Sequence, residues 1–446
     1  MQAGKIIIGV LLITFAVEPY IPLSSGVQSQ TNIPPENCDS SPLPRPIPDN
    51  SSKPVVGTVH HSQSNESVVH VNYTVRENRE NPLTIEIRSG SALIASNGLN
   101  QTGPNELSTE LNQGDTFSIQ YGISDLDQFA NVSYTSGENW IIAPTPKHSG
   151  PGVGLTPARS GFIGLHALYL GNYTTHSKQA GCQTITIILP AAAEINPEPR
   201  LEMLTGAARS INSGKTYADV YVFPSPESLG QRDGFVPKHE NEIIISADTP
   251  TDSPKNIWIH EYVHTRQIRY DGDDFIWFNE ASATYYAARL TLEQGLISPV
   301  EYDAQLASFA TYSPERNLSS ARSDRVAYRW GAVVLARLDT ALVDEGSTLM
   351  VLFNDWNSYG GPSFSDAMTD LENEGVEQQR LNNTRDTVLK NSAPEPHPAQ
   401  TSQLQWLPNF VLSQYLKERG LITGILVCLG TYLLASGLTE RYRDQD

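Results

Sequence analysis

The pentapeptide His260-Glu261-Tyr262-Val263-His264 constrains this chain more than any other stretch. On an α-helix, residues four apart lie one turn apart on the same face, so the two imidazoles could reach one metal ion. Glu261 could then stand beside a metal-bound water, which is the spacing of zinc hydrolases. The same five residues could also be a solvated helix face with two unremarkable histidines. The rest of the chain has to decide between these interpretations.

Length and charge limit the classes of protein that the chain can be. At 446 residues it is long enough for about two or three domains. Its 30 basic and 49 acidic residues give a net charge of −19, which argues against nucleic acid as a partner because such proteins need a basic surface. Lysine is scarce and acidic residues are plentiful, so we expect a salt-adapted host. A melting temperature that rises with KCl concentration would support this expectation, and one that falls would contradict it.

The N-terminal residues are predicted to lie outside the folded core. Residues 1–28 contain Lys5 followed by the apolar run IIIGVLLITFAV, which predicts a signal peptide or an uncleaved N-terminal anchor. Residues 29–55 are rich in Pro, Ser and Asn and are predicted to form a linker. Either interpretation of residues 1–28 implies that the remainder of the chain is exported.

An exported chain can carry disulfides and glycans. Cys38 and Cys182 could form one disulfide in an oxidising compartment or remain two unrelated thiols. The sequence has no Cys-x-x-Cys pair, which makes a thiolate zinc site improbable. Asn-x-Ser/Thr sequons mark possible surface glycans. They begin at Asn50, Asn65, Asn72, Asn100, Asn131, Asn172, Asn317 and Asn382.

Two folded domains are predicted after the linker. Residues 56–155 contain runs such as VVHVNYTV and TFSIQYGI, in which apolar and polar residues alternate, and these predict a β-sandwich-like domain. Residues 156–395 combine strand-like runs, such as ENEIIISAD, with long helical segments. The motif helix is expected to start near Ser253-Pro254. The predicted fold class is therefore α+β, with an all-β domain before a mainly helical one.

The C-terminal part is predicted to anchor the protein in membrane lipid. Residues 396–420 have the character of an amphipathic juxtamembrane segment, and residues 421–438 (LITGILVCLGTYLLASGL) carry no charge. A transmembrane helix needs about 20 apolar residues, so this run with its flanks is just long enough. Residues 439–446 would then form a cytoplasmic tail, because export places the bulk of the chain outside. A buried core helix is the alternative interpretation of residues 421–438.

Two further segments accompany the pentapeptide. Phe278-Asn279-Glu280-Ala281 predicts the start of a second helix, and Tyr328-Arg329-Trp330-Gly331 lies further along the chain. Together with HEYVH, these segments resemble the gluzincin metallopeptidases, in particular the aminopeptidase-N-like and glycyl-aminopeptidase-like families. Those families have H-E-x-x-H, then Asn-Glu-x-x-Ala, then Tyr-x-x-Gly. The resemblance covers residues 215–345 and implies a thermolysin-like, mainly helical catalytic domain.

The resemblance implies roles for five residues. His260, His264 and Glu280 would bind one Zn²⁺ ion, Glu261 would be the general base, and the Tyr328 hydroxyl would stabilise the oxyanion. Judged from its own surroundings, Glu280 could equally be an acid favoured by the dipole at a helix N-terminus. In the same way, Tyr328 could be a buried helix tyrosine.

Two features depart from the aminopeptidase-N-like pattern. Fifteen residues separate His264 from Glu280, which is fewer than usual, so the connection between the two helices must be shorter. The Gly-x-Met-Glu-Asn motif, which holds a substrate's free amine in those families, is absent, and GFVPKHENEIIISAD stands in its place. Its backbone could still pair with an extended substrate, and Glu240 and Glu242 are candidates for binding an amine. Thr284, one turn after Glu280, is a candidate to support the metal ligands.

These patterns predict a membrane-anchored, extracytoplasmic zinc metallopeptidase acting on a peptide or protein substrate. The patterns leave open whether it would act as an aminopeptidase or an endopeptidase, and they do not predict an oligomeric state. Two alternatives remain at this point. One is a non-catalytic cell-surface binding protein that retains a peptidase-like fold, and the other is a zinc hydrolase acting on a non-peptide amide or ester.

Overall fold

The computed structural model describes residues 52–390, except 63–66, 124–133, 212–216, 231, 238–239, 271–273, 313–316, 323 and 359. The predicted leader (1–28), most of the linker (29–55) and the segments 396–420, 421–438 and 439–446 lie outside the described residues, so these interpretations stay predictions. Within the described residues, no helix is both long enough and apolar enough to cross a membrane.

The N-terminal part is built from strands that form three sheets. In chain order they are β1 (Val55–His61), β2 (Val68–Val75), β3 (Arg79–Glu86), β4 (Ser91–Asn97), β5 (Asn100–Gly103), β6 (Glu106–Leu111), β7 (Thr116–Ile123), β8 (Thr135–Gly137), β9 (Trp140–Pro144), β10 (Lys147–Ser149), β11 (Val153–Pro157), β12 (Gly161–Ile163) and β13 (Ala167–Leu170). The strand orders are β11-β1-β2-β7-β4, β10-β3-β6-β5 and β12-β13-β9-β8.

The alternation of buried and exposed residues along the strands explains how the first two of these sheets pack together. In β2 the residues Val69, Val71 and Tyr73 are buried while their neighbours are more exposed, as expected for a strand with one face towards a core. They share that core with Leu83 and Ile85 of the second sheet. The region therefore has the sheet-on-sheet packing that the alternating runs predict. The domain boundary predicted at residue 155 falls inside β11, which pairs in parallel with β1.

A fourth sheet leads into the helical part. Its strands are β14 (Tyr173–Ala180), β15 (Gln183–Pro190), β16 (Asp219–Ser225), β17 (Gly234–Phe235) and β18 (Glu242–Ser246), in the order β14-β15-β16-β18-β17. β15, β16 and β18 run parallel to one another, and β17 returns antiparallel to β18. Cys182, in the turn between β14 and β15, is disulfide-bonded. Cys38 and Cys428 lie outside the described residues.

Both faces of this fourth sheet are covered, which is why its central strands are continuous apolar runs. In β18, Ile243 and Ile245 face the helices, whereas Ile244 packs on the other side with Trp140 and Tyr169 of the third sheet. The third sheet is thus enclosed between the first core and the fourth sheet, and the helices cover the opposite face of the fourth sheet.

The helices of the described region lie within residues 156–395, where long helical segments are predicted. They are α1 (Pro197–Ser210), α2 (Ile257–Arg266), α3 (Phe278–Glu293), α4 (Pro299–Ala310), α5 (Ala332–Asp344), α6 (Leu349–Ser358), α7 (Phe364–Asn373) and α8 (Gln378–Lys390). A π-helical turn, Ala327–Gly331, leads directly into α5. The observed class is a mixed α+β fold, with β-sheets first and a helical part after them.

One predicted helix start is wrong. The motif helix α2 begins at Ile257 rather than near Ser253-Pro254, and Asn256 is its N-cap. The Asn256 side chain accepts a hydrogen bond from Ile259 N at 3.2 Å and donates to Thr251 O at 2.8 Å. An asparagine in this position satisfies an otherwise unpaired N–H of the first turn, which proline near the start cannot do.

Candidate metal centre

The motif helix is buried, which excludes a solvated helix face. His260 and His264 are 6% and 5% exposed, and Glu261 is 5% exposed. The helix is held from several sides: Tyr262 donates to Gln183 Oε1 of β15 at 2.7 Å, and Arg266 donates to Ile211 O at 2.7 Å. Polar side chains in such a setting need partners, because burial without hydrogen bonds or ligands is costly.

Helix α3 packs against α2 and brings the predicted third carboxylate to the two histidines. Glu280 lies in the first turn of α3 and is 7% exposed. Its Oε2 lies 3.4 Å from His260 Nε2 and 3.3 Å from His264 Nε2, and the two Nε2 atoms lie 3.2 Å apart. The connection of fifteen residues is therefore long enough to bring the three side chains together.

These three distances fit a small tetrahedral ion. Zinc bonds of about 2.0–2.2 Å to nitrogen and oxygen place the ligand atoms of a tetrahedron about 3.3–3.6 Å apart. Moreover, Glu280 Oε2 is buried and accepts no hydrogen bond from the described residues. A carboxylate oxygen that converges with two imidazole nitrogens but lacks a hydrogen bond has the environment of a metal ligand. Among the described residues, His260, His264 and Glu280 are the group that could hold a metal ion.

The negative charge of Glu280 and the positive charge of a protonated histidine stabilise each other in this group. Burial on its own would raise the pKa of Glu280, but the neighbouring His264 and His260 hold the pKa of that carboxyl well below its usual range. Burial on its own would lower the pKa of His264, but the Glu280 and Glu261 carboxylates raise it to about 9. Glu280 is therefore a carboxylate at neutral pH, as metal coordination requires.

Gln267 fixes the orientation of one imidazole. It lies just after α2, and its Oε1 is 2.7 Å from His264 Nδ1. Its Nε2 donates to Asn279 O at 2.8 Å and to Ser282 Oγ at 2.6 Å, both on α3. Since the amide oxygen can only accept, His264 donates from Nδ1 and turns its Nε2 towards Glu280 and His260, where a bound metal ion would take the place of the Nε2 proton.

Glu261 is held close to the ligands by the neighbouring edge strand. A Cβ added at Gly234 of β17 would lie 2.9 Å from Glu261 Cγ and 3.0 Å from Ile257 Cγ2. The absence of a side chain at Gly234 therefore lets β17 approach the motif helix. Burial raises the pKa of Glu261, with the two histidines opposing the rise. Such a carboxyl is a stronger base than an exposed one.

Tyr328 enters the site from the π-helical turn. Its ring stacks on the His260 ring, with centroids 5.7 Å apart and planes inclined by 16°. π-Helical turns are rare and often occur at functional sites. Gly331 allows this turn to lie against α3, because a Cβ there would collide with Ala281. Burial, together with the Glu280 carboxylate, raises the pKa of Tyr328, so its hydroxyl remains a proton donor at neutral pH.

A cleft of about 320 Å³ opens onto the metal-binding group and contains all five predicted site residues in its lining. Thr284 also lines it, and its buried Oγ1 has no hydrogen bond with the described residues. Sequence reasoning missed several contributors to the cleft. They are Arg232, Gly234, Lys255, Arg325 and Arg329. The acidic overall composition gave no sign that basic residues would gather there.

Glu240 and Glu242, the two candidates for binding a substrate's amine, do not line the cleft. Glu242 is 1% exposed, and its carboxylate accepts hydrogen bonds from the backbone N–H groups of Leu165, His166 and Ala167. Glu240 pairs with the imidazole of His166. Both carboxylates serve the contact between the third sheet and the fourth, so neither is placed to hold a substrate's amine.

The fold and the His-His-Glu group define a candidate mononuclear metal centre at one open cleft. No family model matches the sequence, and no curated protein matches it. Solved structures of similar fold are M1 zinc metallopeptidases and an aminopeptidase N family protein.

Three of these structures illustrate the similarity. The M1 zinc metallopeptidase from Deinococcus radiodurans is 15% identical, with 80% of this chain and 99% of that chain covered and a TM-score of 0.47. A mutant of it bound to a Tyr-Ser-Ala substrate is 16% identical, with 77% and 95% covered and a TM-score of 0.48. The aminopeptidase N family protein from Idiomarina loihiensis is 12% identical, with 74% and 78% covered and a TM-score of 0.49.

Proposed function

We propose that this protein is a zinc metallopeptidase that hydrolyses peptide bonds in the cleft above His260, His264 and Glu280. The observation that carries the proposal is the convergence of their three ligand atoms at 3.2–3.4 Å, which matches the edges of a tetrahedral zinc site. An ion bound there would acidify water and polarise a peptide carbonyl group. Three protein ligands leave the fourth position of a tetrahedron open, as in catalytic rather than structural zinc sites.

Glu261 is the proposed general base. It follows the first ligand on the same helix, lines the cleft and is held in place by β17. It accepts a proton from the attacking water and later delivers that proton to the leaving amine. Its burial supports the first of these two steps, because a carboxylate whose pKa is raised is a stronger base towards the attacking water.

Tyr328 is the proposed donor to the developing oxyanion. Its hydroxyl stays protonated, and its ring is fixed against His260. One preorganised donor of this kind contributes about 3 kcal/mol to the transition state.

Strand β17 is the proposed docking edge for the substrate backbone. It lies at the end of the fourth sheet, and within the described residues no further strand pairs with its outer side. An extended peptide could therefore add to the sheet through Gly234 and Phe235, directly beside Glu261. This arrangement suits a peptide better than a compact amide or ester.

The test is the Glu261→Gln variant, with Glu110→Gln on the exposed surface as the matched control. Glu261→Gln should bind one zinc per chain as the wild type does but hydrolyse no peptide, because the amide cannot take the proton. The control should keep both properties. Unchanged cleavage by Glu261→Gln would refute the assignment of the base. Absence of zinc and of activity in the wild type, even after zinc addition, would favour a non-catalytic binding protein.

Membrane anchoring through residues 421–438, with the bulk of the chain outside the cytoplasm, is a further part of the proposal. It is supported only by sequence: residues 1–28 as a cleaved export signal and residues 421–438 as the membrane span. Full-length protein expressed in a host that exports it should sediment with membranes, and a chain ending at residue 395 should not. Recovery of both in the soluble fraction would contradict the anchor.

A further inference from the structure

The cleft is basic although the chain is acidic. Among its lining residues are Arg232, Lys255, Arg325 and Arg329. Apart from Glu261 and Glu280, which belong to the metal centre, Asp233 is the one carboxylate among the described residues that lines the cleft. In the whole chain, by contrast, acidic residues outnumber basic ones by 49 to 30. Positive charge is therefore concentrated where the substrate enters.

The described residues do not neutralise these cations with carboxylates. Within the described part of the chain, no carboxylate forms an ion pair with Arg232, Lys255 or Arg325. Arg329 lies over the ring of Tyr312 at 4.9 Å, a contact that leaves its guanidinium free to meet an anion. Arg232 and Arg329 are both half-buried. The planar N–H donors of a guanidinium match the two oxygens of a carboxylate, so each of these side chains is suited to bind a carboxylate from a substrate.

Arg232 lies close to the proposed base and to the proposed oxyanion donor. It comes two residues before Gly234 in the chain, and its charge acts on both Glu261 and Tyr328. A group bound by Arg232 would therefore sit close to the bond that is cut. Arg325 and Arg329 lie on either side of Tyr328 in the chain, and both also line the cleft.

A free amine has no comparable partner among the residues that the structure describes. Glu240 and Glu242 are engaged with the third sheet, and Asp233 is exposed beside Arg232. An ammonium group entering the cleft would meet more cations than anions, which disfavours it electrostatically.

We infer that the cleft selects peptides that carry a carboxylate next to the scissile bond, with Arg232 as the main specificity-determining residue and Arg325 and Arg329 in support. This inference rests on the proposed peptidase function and deepens it. The carboxylate can be an Asp or Glu side chain or the C-terminus of a short peptide, since both offer the same planar anion.

Two peptide pairs separate these sources. One pair differs only by Glu or Gln on either side of the scissile bond, and the other only by a free or an amidated C-terminus. At fixed salt, the wild type should show a kcat/KM for the favoured acidic member that is roughly tenfold or more above that of its neutral counterpart. A preference in the first pair identifies an acidic side chain, and a preference in the second identifies the C-terminus.

Variants connect the preference to the named residue. Arg232→Gln should bring the ratio of kcat/KM for the acidic peptide to kcat/KM for the neutral peptide down towards one. Arg232→Glu should favour a peptide that has Lys where the acidic peptide has Glu. Arg325→Glu, which is exposed and should not disturb folding, should reduce the ratio to a smaller extent. Arg209→Gln, at the exposed end of α1, is the matched control and should leave the ratio unchanged.

Binding of the same peptides to the zinc-loaded Glu261→Gln variant gives a readout that does not depend on turnover, and it should show the same preference. Cleavage and binding of neutral peptides as good as those of acidic ones would overturn the inference while leaving the peptidase function intact. A ratio that survives both Arg232 substitutions would also overturn it. If no peptide is cleaved or bound at all, the proposed function fails, and the inference fails with it.

Discussion

Gln267 Oε1 lies 2.7 Å from His264 Nδ1, and this single contact connects the orientation of the histidine to helix α3. The other end of the same amide donates to Asn279 O and Ser282 Oγ. One neutral side chain therefore holds two helices together and sets which nitrogen of His264 faces Glu280. We therefore expect the proposed metal-binding geometry to depend on this support as well as on the three ligands.

Replacing Gln267 by methionine should weaken zinc binding without removing a ligand. Methionine has a similar size but neither accepts from His264 nor donates to α3, so the imidazole loses its fixed tautomer. Supporting residues of this kind contribute roughly 10- to 100-fold to metal affinity. Competition with a chromophoric chelator measures the change. Gln179→Met on the surface of β14 serves as the control, and equal affinities for the two variants would contradict the role given to Gln267.

Tyr328→Phe should separate catalysis from metal binding. It removes the oxyanion donor but keeps the ring on His260, so zinc content should stay the same while kcat falls by roughly 100- to 1,000-fold. Tyr286→Phe is the matched control on α3, because the buried hydroxyl of Tyr286 has no hydrogen bond with the described residues and does not line the cleft. Equal kcat values for Tyr328→Phe and the wild type would show that the phenol acts only in packing.

Gly234→Ala should impair catalysis through displacement of the base. The added methyl group would lie 2.9 Å from Glu261 Cγ, so either the carboxylate or β17 must move. Misplacement by about 1 Å can cost roughly 100-fold in rate, and we expect a fall of that order in kcat with zinc retained. Gly152→Ala, where the nearest atom would be Lys53 Cδ at 3.5 Å, is the control. An unaffected kcat would mean that β17 does not position Glu261.

Much of the fold follows directly from sequence patterns. The alternating runs VVHVNYTV and TFSIQYGI are β2 and β7 residue for residue, and the apolar run before the motif is β18. Asn256 directly before an apolar helix was an available capping signal, but the proline at 254 suggested an earlier start. Local chemistry decides such features, so sequence alone predicts them within a few residues.

The site was predictable only where a motif fixes spacing along one element. His260 and His264 lie on a single helix, so their relation follows from helix geometry. The approach of Gly234 to Glu261 and the position of Arg232 depend on the β17–β18 hairpin folding back beside α2. The π-helical turn at Tyr328 likewise packs against α3, which is distant in the chain. No local pattern encodes contacts of this kind, which is why the basic cleft was missed.

Zinc content and peptide hydrolysis, measured together through chelation and reconstitution, test the central claim most directly. The account predicts one zinc ion per wild-type chain, loss of both metal and hydrolysis on treatment with a strong chelator, and return of hydrolysis at one equivalent of zinc. Glu280→Gln should bind zinc much more weakly and remain inactive after the same treatment. Hydrolysis that persists in the metal-free protein, or a wild-type chain that takes up no zinc, would contradict the account.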